Sequence, residues 1–206
     1  MIWTKAKTAV AILIGMGELL AAGTTILIIY SANKPIQGIP KDWSVLSGGA
    51  DQWNWTNGKI NAHGTTGESI LASTRTYRDV TLSAIASTTN REASLAIRMQ
   101  DTDNGYLILF APEGTPRDDA GHITLVRKTG GQEVTLIAYR GREFSSMGQS
   151  AKITVAAHGS WMEVHLNNAT IFGVKDTTFA TGRIGLRIFG DQDYPCDATF
   201  SDVNFH

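Results

Sequence analysis

The chain has 206 residues, of which 18 are Lys or Arg and 19 are Asp or Glu, giving a net charge of −1. That balance offers no basic patch to a nucleic acid. The single cysteine, Cys196, excludes an internal disulfide framework and any zinc site built on cysteine. Core burial has to hold the protein together.

Residues Thr8 to Tyr30 form one apolar run of 23 residues, with Lys5 and Lys7 ahead of it and no further lysine until Lys34. A bilayer-spanning helix needs about 20 apolar residues, and basic residues before it place its N-terminus on the cytoplasmic side. A cleaved signal peptide is the rival reading, since it too begins with basic residues, and Ala21-Ala22-Gly23 would suit cleavage. Its apolar region should run only about 7–15 residues, whereas this one continues through Ile26, Leu27, Ile28 and Ile29. Residues 1–30 therefore read as an uncleaved helical anchor that leaves the rest of the chain on the extracytoplasmic side, periplasmic or extracellular. Glu18 costs about 2.5–3.5 kcal/mol near the centre of such a helix. It is either a charge offset by the surrounding Leu and Ile or a residue paired within a helix bundle.

Residues 31–41 carry Pro35, Gly38 and Pro40 and read as a linker. From 42 to 206 no helical period appears. Short runs rich in Val, Ile, Thr and aromatics predict strands at Trp43–Leu46, Lys59–Ala62, Ser69–Ser73, Val80–Ser87, Ala93–Gln100, Tyr106–Phe110, His122–Arg127, Glu133–Arg140, Lys152–Ala157, Trp161–Leu166, Thr170–Val174, Arg183–Phe189 and Ala198–Phe205. Asn57-Gly58, Asp103-Asn104-Gly105, Gly130-Gly131, Asn167-Asn168 and Gly190-Asp191 mark turns. Strands at this spacing predict an all-β fold of two antiparallel sheets packed face to face. Side chains alternate between the faces of a strand. Leu95, Ile97 and Met99 should then face the core, with Arg98 and Gln100 opposite. Ile184, Leu186 and Ile188 should point inward, with Arg187 outward. Met162, Val164 and Leu166 oppose Trp161, Glu163 and His165.

Several segments together carry a resemblance: DWSVL followed by WNWTNGKINAHG, the hairpin AIRMQDTDNGYLILF, the Gly-x-Trp strand of GSWMEVHLNNATIFGVKD, and the closing strands TGRIGLRIFG and ATFSDVNF. Over roughly residues 42–206 they resemble the concanavalin A-like, laminin-G-like jelly-roll superfamily, and most of all its bacterial 3-keto-disaccharide hydrolase-like domains. The resemblance implies a jelly-roll sandwich, sugar binding in the groove of the concave sheet, and hydrolysis of glycosides or 3-keto-sugars. Two departures weaken the enzymatic implication. NREASLAIR replaces the Asn-Ser-Gly-type segment usual before the central arginine, and no strand carries the alternating glutamates of laminarinase-type members.

Within that frame Arg98 and Arg187, out of phase with the core residues, are expected to line the sugar groove. Guanidinium donors in a fixed fork suit hydroxyl or carboxylate recognition, and Gln100 adds a donor and an acceptor. Both Arg98→Ala and Arg187→Ala should then leave stability nearly unchanged. Trp53 and Trp55 share a face, and Trp53 is a candidate stacking platform for a sugar ring, with the core as the alternative. Asp202 is the candidate ligand for a structural calcium, because jelly-roll relatives often use an acid on the last strand. Asp101 and Asp103 read as hairpin-tip residues; Asp191 and Asp193 read as loop acids with calcium as the functional alternative. The five histidines show no metal-ligand spacing. The expected function is membrane-tethered, extracytoplasmic carbohydrate binding without catalysis. The alternatives are a hydrolase or lyase acting on glycosides or 3-keto-sugars, and a structural protein that self-associates through the sandwich and its N-terminal helix.

Overall fold

The computed structural model describes residues 42–113, 121–141 and 148–206. The expected helix over 1–30 and the linker over 31–41 lie outside the described residues. Among the described residues no helix is long and apolar enough to cross a membrane.

The described strands are β1 (Trp43–Ser47), β2 (Trp53–Thr56), β3 (Lys59–Gly64), β4 (Gly67–Ser73), β5 (Val80–Thr89), β6 (Ala93–Met99), β7 (Gly105–Phe110), β8 (His122–Thr129), β9 (Gln132–Arg140), β10 (Ala151–His158), β11 (Trp161–Leu166), β12 (Ala169–Lys175), β13 (Arg183–Gly190) and β14 (Cys196–Phe205). They form two seven-stranded sheets, β1-β4-β13-β6-β7-β8-β9 and β12-β11-β10-β5-β14-β3-β2. Every strand but β2 falls on a segment anticipated from the sequence; β2 is the aromatic arm of the Asn57-Gly58 hairpin. At Asn57-Gly58, Gly130-Gly131 and Asn167-Asn168 both turn residues have positive φ, between 49° and 81°. Such two-residue turns match the twist of the strands they join.

The second sheet has one buried and one solvent-facing side, as antiparallel sheets commonly do. On β5, Val80, Leu82, Ala84 and Ala86 are buried while Thr81, Ser83 and Ser87 are partly exposed. On β11, Met162, Val164 and Leu166 face the core, as their alternation predicts. The first sheet is different: its central strands β6 and β7 are buried along their whole length. Leu95, Ile97, Ile108, Ile184, Leu186 and Ile188 pack into the core between the sheets. Ile70 and Ala72 of β4, Ala96 of β6, Leu107 and Leu109 of β7, and Val126 of β8 build a second apolar cluster, each 0–3% exposed, apart from the core between the sheets. This corrects the expectation of an open polar groove on that sheet, because the centre of the face is apolar and buried.

A bulge changes the phase of β6. Strict alternation would place Met99 with Leu95 and Ile97, but Met99 joins the second cluster. Arg98 lies in the left-handed region at φ 51°, and the β6–β13 register shifts between Arg183 and Gly185. A bulge inserts one residue and so inverts the face of every side chain beyond it. Cys196 at the start of β14 is fully buried, and burial pushes its thiol up to about 11.

Candidate functional site

The bulge sends Arg98 to one end of the sandwich. Its side chain is buried, with the residue 1% exposed. Nη1 donates to the Phe179 carbonyl at 3.2 Å, and Nη2 donates to the carbonyls of Arg78 at 3.0 Å and Gly159 at 2.6 Å. One guanidinium thus ties together the lead into β5, the β10–β11 turn and the β12–β13 connection. Its Nε is buried without a hydrogen-bond partner. Burial pushes the group below its ordinary pKa, and Tyr106 and Asp79 partly offset this.

Beside Arg98 opens a cleft of about 360 Å³ whose lining includes Arg78, Asp79, Ser160, Asp176 and Phe179. Asp79 Oδ1 accepts the Gly159 N–H at 2.7 Å and so fixes the turn on one wall. Asp176 Oδ1 accepts the Tyr106 hydroxyl at 2.6 Å and the Thr178 N–H at 2.8 Å, while Oδ2 accepts from Arg127 Nη1 at 2.6 Å. Burial alone would raise this carboxyl, but those donors outweigh it and hold Asp176 at about 2, below its ordinary 3.8. The Tyr106 hydroxyl moves the other way, raised by burial and by Asp176. Tyr106 also meets Phe179 edge to face at 5.5 Å. The cleft therefore presents an aromatic ring, an ionised carboxylate, a hydroxyl and guanidinium N–H groups within one hollow. That mixture suits a neutral polyol better than a purely anionic or apolar ligand, because each hydroxyl both donates and accepts.

The expected groove residues part company. Arg98 and Arg187 do stand on neighbouring strands β6 and β13. Neither is exposed, so the open-face expectation is corrected. Arg187 is 3% exposed and binds three carboxylates: Nε to Glu68, Nη1 to Glu92 at 2.5 Å and Nη2 to Glu133 at 3.2 Å. Lys128 Nζ adds bonds of 2.9 and 3.0 Å to Glu68. Burial acts to raise the Glu68 carboxyl, but Arg187 and Lys128 together hold it below the usual carboxylate range. Gln100 is exposed, and its amide nitrogen donates to the carbonyls of Arg98 and Thr181, bracing the rim of the Arg98 cleft. Trp53 belongs to the core at 2% exposure, with its indole N–H donated to Ser69 Oγ at 2.7 Å. A sugar cannot stack on it, because β2 turns that face toward β4 across the sandwich. Asp202 is exposed at a bulge of β14, at φ 50°. Among the described residues no three His, Cys, Asp or Glu side chains gather into a metal site. A cation at Asp202 would rely on one carboxylate and on carbonyls.

Asp101 accepts the Asp103 N–H at 2.8 Å, the hairpin-tip role read from its sequence. Asp79, Tyr106, Asp176 and Phe179 were not anticipated in the site. Asp176-Thr177-Thr178 did carry a signal, since an Asp that accepts the N–H two residues on is an Asx turn.

No protein-family model matches the chain, and no curated protein matches it in sequence. Solved structures match it in shape. The carbohydrate-binding module CBM66 of Bacillus subtilis is 17% identical with a TM-score of 0.67, over 80% of this chain and 95% of that one. The carbohydrate recognition domain of Emp46p is 12% identical with a TM-score of 0.56, over 78% and 88%. A glycosidic hydrolase is 9% identical with a TM-score of 0.62, over 79% and 89%. At these identities the likeness is one of fold: the chain is a two-sheet, jelly-roll β-sandwich.

Proposed function

We propose that the sandwich recognises carbohydrate without catalysing a reaction, and that the Arg98 cleft takes the sugar. The observation that carries this reading is the cleft of about 360 Å³ that gathers Arg78, Asp79, Ser160, Asp176 and Phe179 around the buried Arg98. Charged, hydroxyl and aromatic side chains side by side in one hollow offer a sugar both hydrogen-bond partners and a flat apolar surface. The sugar-binding proteins among the similar folds support it. The apolar run Thr8–Tyr30 supports a tethered, extracytoplasmic placement.

Hydrolysis is the second reading, supported by Glu68, Glu92 and Glu133 gathered on Arg187 and by the hydrolase of like fold. Glycoside cleavage needs a carboxylic acid with a raised pKa, whereas Arg187 and Lys128 hold Glu68 below the usual carboxylate range. Binding is the better account. A glycan array probed with the full chain tests it, together with Asp79→Asn. That substitution keeps an oxygen for the Gly159 N–H and removes the charge. Signal on defined glycans, weakened about tenfold by Asp79→Asn with an unchanged melting temperature, is expected. Release of reducing sugar from a bound glycan would favour hydrolysis instead.

A further inference from the structure

We infer that Trp161 is a stacking platform for a second sugar unit beside the Arg98 cleft, so that the ligand is a glycan chain of two or more units. The inference rests on the carbohydrate reading and names its substrate class. Trp161 is 45% exposed, although an indole of this size is usually well buried. It is also held in place. Its Nε1–H donates to Glu163 Oε1 at 2.9 Å. Beneath it lies Gly173 of β12, where any Cβ would fall 2.5 Å from the ring atom Cζ2. The glycine lets the indole pack close against the β12 backbone while the ring stays open to solvent. A flat aromatic surface fixed in this way loses little conformational freedom when a ligand settles on it.

The surroundings fit a sugar. The C–H face of a pyranose can cover the ring while its edge hydroxyls need polar partners. Glu163 and His165 follow Trp161 on the same solvent-facing side of β11, and His165 Nδ1 is hydrogen-bonded to Thr170 Oγ1 at 3.0 Å. The position fits too. Trp161 pairs with Lys175, and the adjoining residues Ser160 and Asp176 are joined by a backbone hydrogen bond of 2.9 Å. Ser160 and Asp176 both line the Arg98 cleft. The indole lies over Gly173, three residues along β12 from Asp176, so the platform stands about 10 Å along the strand from the cleft lining, within the reach of neighbouring units of one chain.

The test is calorimetric titration of the full chain, held in a detergent without sugar headgroups. The probes are linear gluco-, xylo- and fructo-oligosaccharides, from monosaccharide to hexasaccharide. Affinity should rise about tenfold between monosaccharide and trisaccharide, a gain of about 1.4 kcal/mol. Trp161→Ala should abolish the rise while leaving monosaccharide affinity and melting temperature unchanged. Trp161→Phe should keep part of it, and Gly173→Val should reduce it by lifting the ring. A rise that survives Trp161→Ala overturns the platform and leaves the carbohydrate reading standing. Wild-type chain that binds none of the probes overturns both. A change in sedimentation with Trp161→Ala, at unaltered glycan affinity, makes the indole a protein contact instead.

Discussion

The backbone of Arg98 occupies the space that a side chain on Gly182 would need: a Cβ there would fall 2.3 Å from the Arg98 carbonyl carbon. Gly182 lies at φ +154° and exchanges backbone hydrogen bonds with Tyr77. The bulge that turns Arg98 into the cleft therefore depends on a glycine 84 positions later in the chain. Gly182→Ala should destabilise the protein by about 2–4 kcal/mol, in the range of other overpacked or strained substitutions. It should weaken glycan binding as well. Urea denaturation and the glycan array measure the two effects.

Replacing Arg187 strips one cation from three carboxylates, two of which are largely buried with it. Breaking a buried ion pair from one side costs about 3–5 kcal/mol. Arg187→Met should lower the denaturation midpoint accordingly. Arg187→Lys should recover only part of the loss, because one ammonium cannot span three partners as the guanidinium fork does. This reverses the expectation that an alanine at 187 would be silent. Arg98→Ala should likewise be costly, since three backbone carbonyls lose their donor.

Asp176 makes stability depend on acid. Its carboxyl is held at about 2 in the folded protein against an ordinary 3.8. A depressed folded-state pKa contributes stability that is complete above the unfolded value and is lost as pH falls through the folded one. The loss should thus run from about pH 4 down to about pH 2, on the order of 1–2 kcal/mol after allowance for solvent screening. Glu68 is lowered as well and adds to the slope with the same sign. Urea melts across this range should fall less steeply for Asp176→Asn than for the parent protein.

The N-terminal run gives a separate expectation. If Thr8–Tyr30 anchors the chain, the protein should stay with membranes through an alkaline carbonate wash, and its mature N-terminus should precede residue 20. Edman sequencing that begins beyond Ala22 would show a cleaved signal and remove the tether.

How far the sequence could be read depended on distance along the chain. The inward set Ile184, Leu186 and Ile188 was legible because alternation is local and the core enforces it. So were the turns at Asn57-Gly58 and Asn167-Asn168, whose residue types suit positive φ. The fate of Arg98 was not, since AIRMQ continues an unbroken alternation through the bulge, and the cause lies opposite, near Gly182. The partners of Arg187 were out of reach for a related reason: Glu68, Glu92 and Glu133 stand 119, 95 and 54 positions away. Trp53 was placed wrongly because two aromatics sharing a face do not say which face is covered. Ser69, which takes its indole N–H, comes from the other sheet.

The buried Cys196 thiol, held at about 11 between Thr88 and the Glu92 carbonyl, has little thiolate at neutral pH and no access to solvent. In an oxidising compartment the described sandwich should therefore form no mixed disulfides and no covalent dimers. The same inertness makes the protein ready for labelling: a cysteine introduced at exposed His158 or Lys175 would be the thiol that a maleimide dye finds first. A fluorophore there would sit beside the cleft and the Trp161 ring, and could report ligand arrival at both.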